Sequence, residues 1–248
     1  MLPPPSLLRD VELLCLDAGN TVVFLDHARL AALCGALGFA TDAAELVRAE
    51  GAAKVALSGS SRAGAPRVSA WSRAHGVASR GWAGYVGTLL GAAGLAHARL
   101  PAALDALWEH HCALNLFSRV PPGLVAALDR ARAAGVRVAI VSNSEGQLDA
   151  LLVRVGVRAS VDLVLDSAVV GVEKPDPRIF ALALDHFGVP ASRALHLGDV
   201  YATDVLGARA AGVRVALIDP FDHLAGLHLE VARVSGAAEV ADALAASR

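Results

Sequence analysis

The chain has 248 residues, 55% of them hydrophobic and 19% charged. That is enough apolar material for a sizeable core and excludes a disordered chain as the expected state. A formal net charge of −2 gives no general attraction to nucleic acid or to an anionic membrane.

The opening MLPPPSLLRD puts prolines where a secretion signal needs an unbroken apolar run, and runs such as Val138–Val141 are strand-sized. A cytoplasmic protein is expected. Cys15, Cys34 and Cys112 are odd in number and scattered, without a CxxC pair. They read as small buried hydrophobes in a reducing compartment.

Val11–Leu16 reads as a short buried strand running into Asp17-Ala-Gly-Asn-Thr21, where Gly and Asn mark a sharp loop. Asp26–Leu37 is helical up to Gly38, and Asp42-x-x-Glu45 resembles a capping box opening the next helix. Ser58–Pro66 reads as a connector, and helices follow near Ser79–Ala92 and Pro101–Asn115.

The pattern changes at Pro121-Pro122. Helices over Gly123–Ala134, Gln147–Val155, Pro177–Phe187 and Ala202–Ala211 now alternate with strands over Val136–Val141, Val161–Leu165, Ala194–Leu197 and Val213–Ile218. ARAAGVRVAI at 131–140 and ARAAGVRVAL at 208–217 repeat one helix-end, Gly-turn, buried-strand joint. Such alternation predicts an α/β fold, a Rossmann-like parallel sheet with helices on both faces. The expected organisation is discontinuous. Residues 1–21 and 119–248 form the core, and residues 22–118 an inserted α-helical cap. Ligands of such sheets lie beyond the C-terminal strand ends.

Charge is uneven. From Gly51 to Leu104 there is no Asp or Glu, and Lys54, Arg62, Arg67, Arg73, Arg80 and Arg99 give +6, leaving −8 elsewhere. The stretch is either a basic face neutralised within the chain or a lid that draws in an anionic substrate. Lys54 and Lys174 are the only lysines in an arginine-rich chain. A compact ammonium does what a planar guanidinium cannot.

Polar residues gather at the predicted strand ends: Asp17 with Thr21, Ser142-Asn143, Lys174 in EKPDP, and Gly198-Asp199 with Asp204. Singly, each has a plain structural reading, as a loop cap, a helix start or a helix cap. Together they fit phosphoryl transfer. A carboxylate can attack phosphorus, a lysine and a hydroxyl can hold the phosphoryl oxygens, and paired aspartates suit Mg²⁺.

In that order and spacing, Asp17-x-x-x-Thr21, Ser142-Asn143, Lys174-Pro175 and Gly198-Asp199-x₄-Asp204 resemble the four motifs of the haloacid dehalogenase superfamily, in members with a helical cap after the first motif. The resemblance spans about Val11 to Asp219. It implies Asp17 as nucleophile, with Lys174 also catalytic. It implies Thr21, Ser142, Asn143 and Lys174 on the substrate. Asp17, the Gly19 carbonyl, Asp199 and Asp204 would hold Mg²⁺. The implied partner is a small anionic phosphorylated metabolite, with no nucleic acid and no membrane.

The pattern breaks at Gly19, where phosphatases of this family carry a general acid/base Asp, a group worth roughly 10²–10⁴ in rate. Three readings stay open. One is a phosphatase for good leaving groups, or one using another acid such as Asp26 or His27. Another is a phosphonate hydrolase, with Lys54 as the cap lysine, or a carbon–halogen hydrolase, against which the kept Asp199 and Asp204 speak. The third is a non-catalytic protein that binds a phosphometabolite or a partner. The plainer expectations are a surface Lys54, an exposed His27 after a helix start at Asp26, a core-packed His196, and Trp71, Trp82 and Trp108 as cap core. His110-His111-Cys112 sit about 100° apart around a helix and do not converge on one metal. A receiver domain would share the Asp, hydroxyl and Lys, but the insertion and the Gly-Asp-x₄-Asp run speak against it. No Walker loop, GxGxxG or GxSxG occurs.

Overall fold

The computed structural model describes residues 3–59 and 79–248. Trp71, Arg62, Arg67, Arg73 and most of the Ser58–Pro66 connector lie outside the described residues. Ser58 itself closes a helix, Ala43–Gly59. The chain divides into two compact units, Met1–Phe24 with Arg119–Arg248, and Leu25–Ser118.

Eight strands lie among the described residues. In chain order they are β1 Leu13–Leu16, β2 Phe24–Leu25, β3 Phe117–Arg119, β4 Arg137–Ser142, β5 Leu163–Asp166, β6 Ala194–Gly198, β7 Arg214–Ile218 and β8 Ala232–Val234. The first unit is built on a six-stranded sheet in the order β5-β4-β1-β6-β7-β8, parallel throughout. β2 and β3 form a separate two-stranded sheet.

β1 sits mid-sheet and is buried on both faces, so it reads as an unbroken apolar run. Leu13 and Cys15 face a layer containing Ile179, Phe180 and Ala183, the apolar stripe of helix Arg178–Phe187. Helices Leu124–Ala133 and Ala237–Ala246 pack together, burying Leu124, Leu128, Val240 and Leu244. Chain order reverses about β1, since β4 and β5 lie on one side and β6 to β8 on the other. This is the switch point where an open parallel sheet leaves a crevice.

Two elements lie beyond the sequence reading, which ended near Asp219. Strand β8 has three residues, too few for a period to show, and helix Ala237–Ala246 follows it. The predicted helix Ala202–Ala211 begins instead as a π-turn, Tyr201–Val205, before Leu206–Ala210. The Asp204 carboxylate folds back onto the Val200 N–H there and widens the first turn.

The second unit is helical: His27–Ala36, Ala43–Gly59, Ser79–Ala92 and Leu100–Ala113. Asp26 caps the first helix by accepting from Arg29 N. Leu30, Leu46, Leu89, Leu90, Leu104 and Leu107 make its core. Trp82 and Trp108 join it edge to face at 5.0 Å, as expected of core tryptophans. Cys112 is exposed, unlike buried Cys15 and Cys34. Among the described residues, no helix is long and apolar enough to cross a membrane.

Candidate active site

Asp17 is the first residue past β1, and its N–H donates to Leu197 O, which ties the turn to β6. The loop then folds tightly. Thr21, Val22 and Val23 N–H groups all donate to Ala18 O, and Asn20 takes the left-handed conformation at φ 51°. Asn tolerates that region better than most residues. The turn buries Thr21 completely, and its Oγ1 has no hydrogen-bond partner among the described residues.

The other strand ends converge on Asp17. Lys174 Nζ lies 2.6 Å from Asp17 Oδ1 and 2.6 Å from Asp204 Oδ1. Carboxylate oxygens of Asp17, Asp199 and Asp204 all come within 4.8 Å of one another. Asp199 directly follows β6, and Ser142, also buried, ends β4.

Asn143, expected on the substrate, uses both amide atoms elsewhere. Its Nδ2 donates to Lys174 O at 2.9 Å, and its Oδ1 accepts from Lys174 N at 2.7 Å. It therefore fixes the cis Lys174–Pro175 loop that delivers the ammonium. Asp204, expected on the metal, is likewise engaged at both oxygens. Oδ1 accepts from Lys174 and from His196 Nε2 at 3.0 Å, and Oδ2 from Val200 N at 2.9 Å.

The electrostatics follow from these partners. Burial raises the Asp17 carboxyl to about 6, with neighbouring Asp204 and Asp199 adding to the shift and Lys174 opposing it. Burial would also raise Asp204, but the Lys174 charge and the His196 hydrogen bond outweigh it and hold the group well below the usual range. Burial works against the Lys174 charge, and the two carboxylates more than offset that. Cys15 is pushed up to about 12 by burial, which makes it an inert hydrophobe.

Two residues here have roles that sequence reasoning did not give them. Asp166, at the end of β5, accepts from the Gly146, Leu148 and Ala168 N–H groups and so shapes the loop after Ser142. His196 was expected only as core packing. It is fully buried, but it bonds Asp204. Its signal was present, as the one polar side chain in the strand ALHLG.

The helical unit holds a second buried polar group. Lys54, expected on the surface, is 2% exposed, and Glu50 one turn earlier is 1% exposed. Glu50 accepts from Tyr85 OH and pairs with His27 Nε2 at 3.0 Å, so His27 is not the free surface group expected. Glu50 explains the position of His27, because a buried carboxylate draws in donors within reach, and the Lys54 charge acts on the same group. His111 Nδ1 accepts from Leu116 N, while His110 and Cys112 are exposed, so these three do not converge on a metal.

Comparison with known proteins identifies the family and the fold. A family profile described as haloacid dehalogenase-like hydrolase matches residues 11–212. Haloacid dehalogenase-like hydrolase domain-containing protein 3 of Mus musculus is 38% identical over 107 residues, 42% of this chain and 43% of that protein. A phosphoserine phosphatase of Thermus thermophilus is 42% identical over 99 residues, 40% of each chain. A ribulose-1,5-bisphosphate 5-phosphatase of Halopiger xanaduensis is 37% identical over 117 residues, 47% of this chain and 48% of that one. The matches thus span less than half the length of these relatives. The same fold occurs in a HAD phosphatase from Thermococcus onnurineus, with TM-score 0.56, 17% identity, and 91% of this chain and 94% of that one covered. It occurs too in the Bacillus subtilis HAD-hydrolase YfnB, with TM-score 0.59, 17% identity, and 94% and 98% covered. That family profile spans most of the chain, and the chain belongs to the haloacid dehalogenase-like hydrolase family.

Proposed function

We propose that the protein is a Mg²⁺-dependent phosphatase of small phosphorylated metabolites that works through an aspartyl-phosphate on Asp17. The observation that carries this reading is the lysine shared between Asp17 and Asp204 at 2.6 Å each, inside a group of three buried carboxylates. Carboxylate oxygens of three aspartates lie within 4.8 Å of one another. Hard, close-set oxygens of this kind fit Mg²⁺. Asp17, Asp199 and the Gly19 carbonyl would hold the ion, with Asp204 alongside and turned toward Lys174. When bound, it supplies positive charge that offsets repulsion between the nucleophile and an anionic substrate. The YfnB protein was crystallised bound to magnesium, and two relatives named above are phosphatases.

In this mechanism an Asp17 oxygen attacks phosphorus, the P–O bond to the leaving group breaks, and that oxygen departs with the electron pair. Lys174 and the hydroxyls of Ser142 and Thr21 take up charge on the phosphoryl oxygens. The partnerless Thr21 hydroxyl has its hydrogen bond to give. Water then attacks the aspartyl-phosphate and releases phosphate. Gly19 supplies no proton to the leaving oxygen and no base to the water.

Two consequences test this. Activity should rise steeply as leaving-group pKa falls, so aryl phosphates outrun alkyl phosphates. Gly19→Asp should flatten that slope and remove any burst of product. Among the described residues, the positive-φ position in this loop is Asn20, so an ordinary side chain at position 19 meets no such backbone penalty. Equal rates on aryl and alkyl esters in the wild type would reveal another general acid. Tight phosphate binding with no turnover by either protein would favour the non-catalytic reading, which Gly19 keeps open. Lys54 is buried and its charge acts on Glu50, and the phosphonate reading would call on this residue.

A further inference from the structure

We propose that His196 is a positioning residue for this site: by donating its Nε2–H to Asp204, it fixes the carboxylate that shares Lys174 with Asp17. The inference rests on the phosphatase reading above and adds a residue to it.

His196 lies in the middle of β6 with no exposure, among Ala194, Leu195 and Leu197. Burying an imidazole in an apolar strand costs free energy unless its polar atoms are satisfied. One contact answers that need, Nε2 to Asp204 Oδ1 at 3.0 Å. A carboxylate only accepts, so the hydrogen is on Nε2. Nδ1 has no hydrogen-bond partner among the described residues, so the ring's polar contact is with Asp204 alone.

The ring is held in that orientation. Phe180 meets it edge to face, with centroids 4.9 Å apart and planes at 78°. Phe180 is itself confined, because a Cβ on Gly207 would lie 3.1 Å from its Cε2 and 3.0 Å from Pro175 Cα. Asp204 is confined from a third side, since a Cβ on Gly198 would fall 2.2 Å from its Cγ. His196 and Gly198 are two apart on β6 and so share a face, which makes one strand both the floor and the donor for the carboxylate.

The consequence for chemistry concerns Lys174. Asp204 Oδ1 divides its acceptor capacity between His196 and Lys174. Without the imidazole donor, a buried carboxylate compensates by holding its remaining cation more closely. That draws Nζ away from Asp17 and from the phosphoryl oxygens it would stabilise.

The test compares His196→Leu and His196→Gln in the full chain, with Mg²⁺ and p-nitrophenyl phosphate. In His196→Leu, kcat should fall roughly 10–100-fold while KM stays within about threefold. His196→Gln, whose amide N–H can reach the same carboxylate, should keep kcat within about threefold of wild type. Thermal melts establish that both are folded. Wild-type kcat in His196→Leu, or equal losses in both folded variants, would overturn the proposal. If His196→Leu does not fold, or if the wild type turns over no phosphate ester, NMR of isotope-labelled histidine decides. Wild type should show the hydrogen on Nε2, with that resonance shifted in Asp204→Asn. A hydrogen on Nδ1 alone, or a resonance unmoved by Asp204→Asn, would overturn it without bearing on whether the protein is a phosphatase.

Discussion

The chain's two lysines are both buried, yet they sit in opposite balances of charge. Lys174 serves two carboxylates with a third close by. In the helical unit the donors gather on one carboxylate instead: Glu50 has Lys54, His27 and Tyr85 around it. The pKa directions record the difference. Burial works against both acids, but Glu50 has enough donors to be pulled down to about 2, while Asp17 is left at about 6. A buried carboxylate with more donors than it needs is finished structure. One that remains under-compensated leaves room for a ligand's charge. On this contrast, changes around Asp17 should alter chemistry first, and changes around Glu50 should alter stability first.

The largest effect is expected at the nucleophile. Asp17→Asn should cut hydrolysis by about 10⁴-fold or more, while its melting temperature stays at or above the wild-type value, because a crowded buried charge is removed. A steady-state assay paired with a thermal melt reads both. A clear drop in melting temperature would place Asp17 with the structural group instead.

Gly198→Ala comes next. Its methyl would overlap the Asp204 carboxylate, so the protein should lose about 1–3 kcal/mol by denaturant unfolding and most of its activity. Asn143→Ala should act more narrowly. Without the two bonds to the Lys174 backbone, kcat should fall about tenfold with a small change in stability. A KM effect alone would return Asn143 to the substrate.

The smallest effect belongs to Glu50. Its folded pKa lies below the ordinary 4.5, so its ionised form stabilises the fold. That contribution is complete above 4.5 and is lost as pH falls from 4.5 toward about 2. Denaturant unfolding across this window should show a steeper loss in wild type than in Glu50→Gln. Parallel curves would remove Glu50 from the stabilising group.

These contrasts separate what the sequence exposes from what it conceals. The strand ends were legible because a parallel sheet puts its polar loops immediately after apolar runs. Asp17, Ser142 and Asp199 each sit there. Lys54 was misread because helical spacing alone does not tell which polar residue is turned inward toward a carboxylate one turn away. His196 and Asn143 were recognised as residues but not in their roles, since a side chain's partner across the sheet depends on register. Register pairs His196 with Cys15 and Val215, and neither neighbour in the sequence indicates that. Strand β8 was too short to have a period.

The central claim is that Asp17 itself becomes phosphorylated. Acid-quenched wild type, sampled during turnover of p-nitrophenyl phosphate with Mg²⁺ and digested for mass spectrometry, tests it most directly. One phosphoryl group is expected on the peptide containing Asp17. It should accumulate because Gly19 offers no base for the second step, fade in Gly19→Asp, and be missing in Asp17→Asn. Phosphate released with no adduct on that peptide at any time point would contradict it.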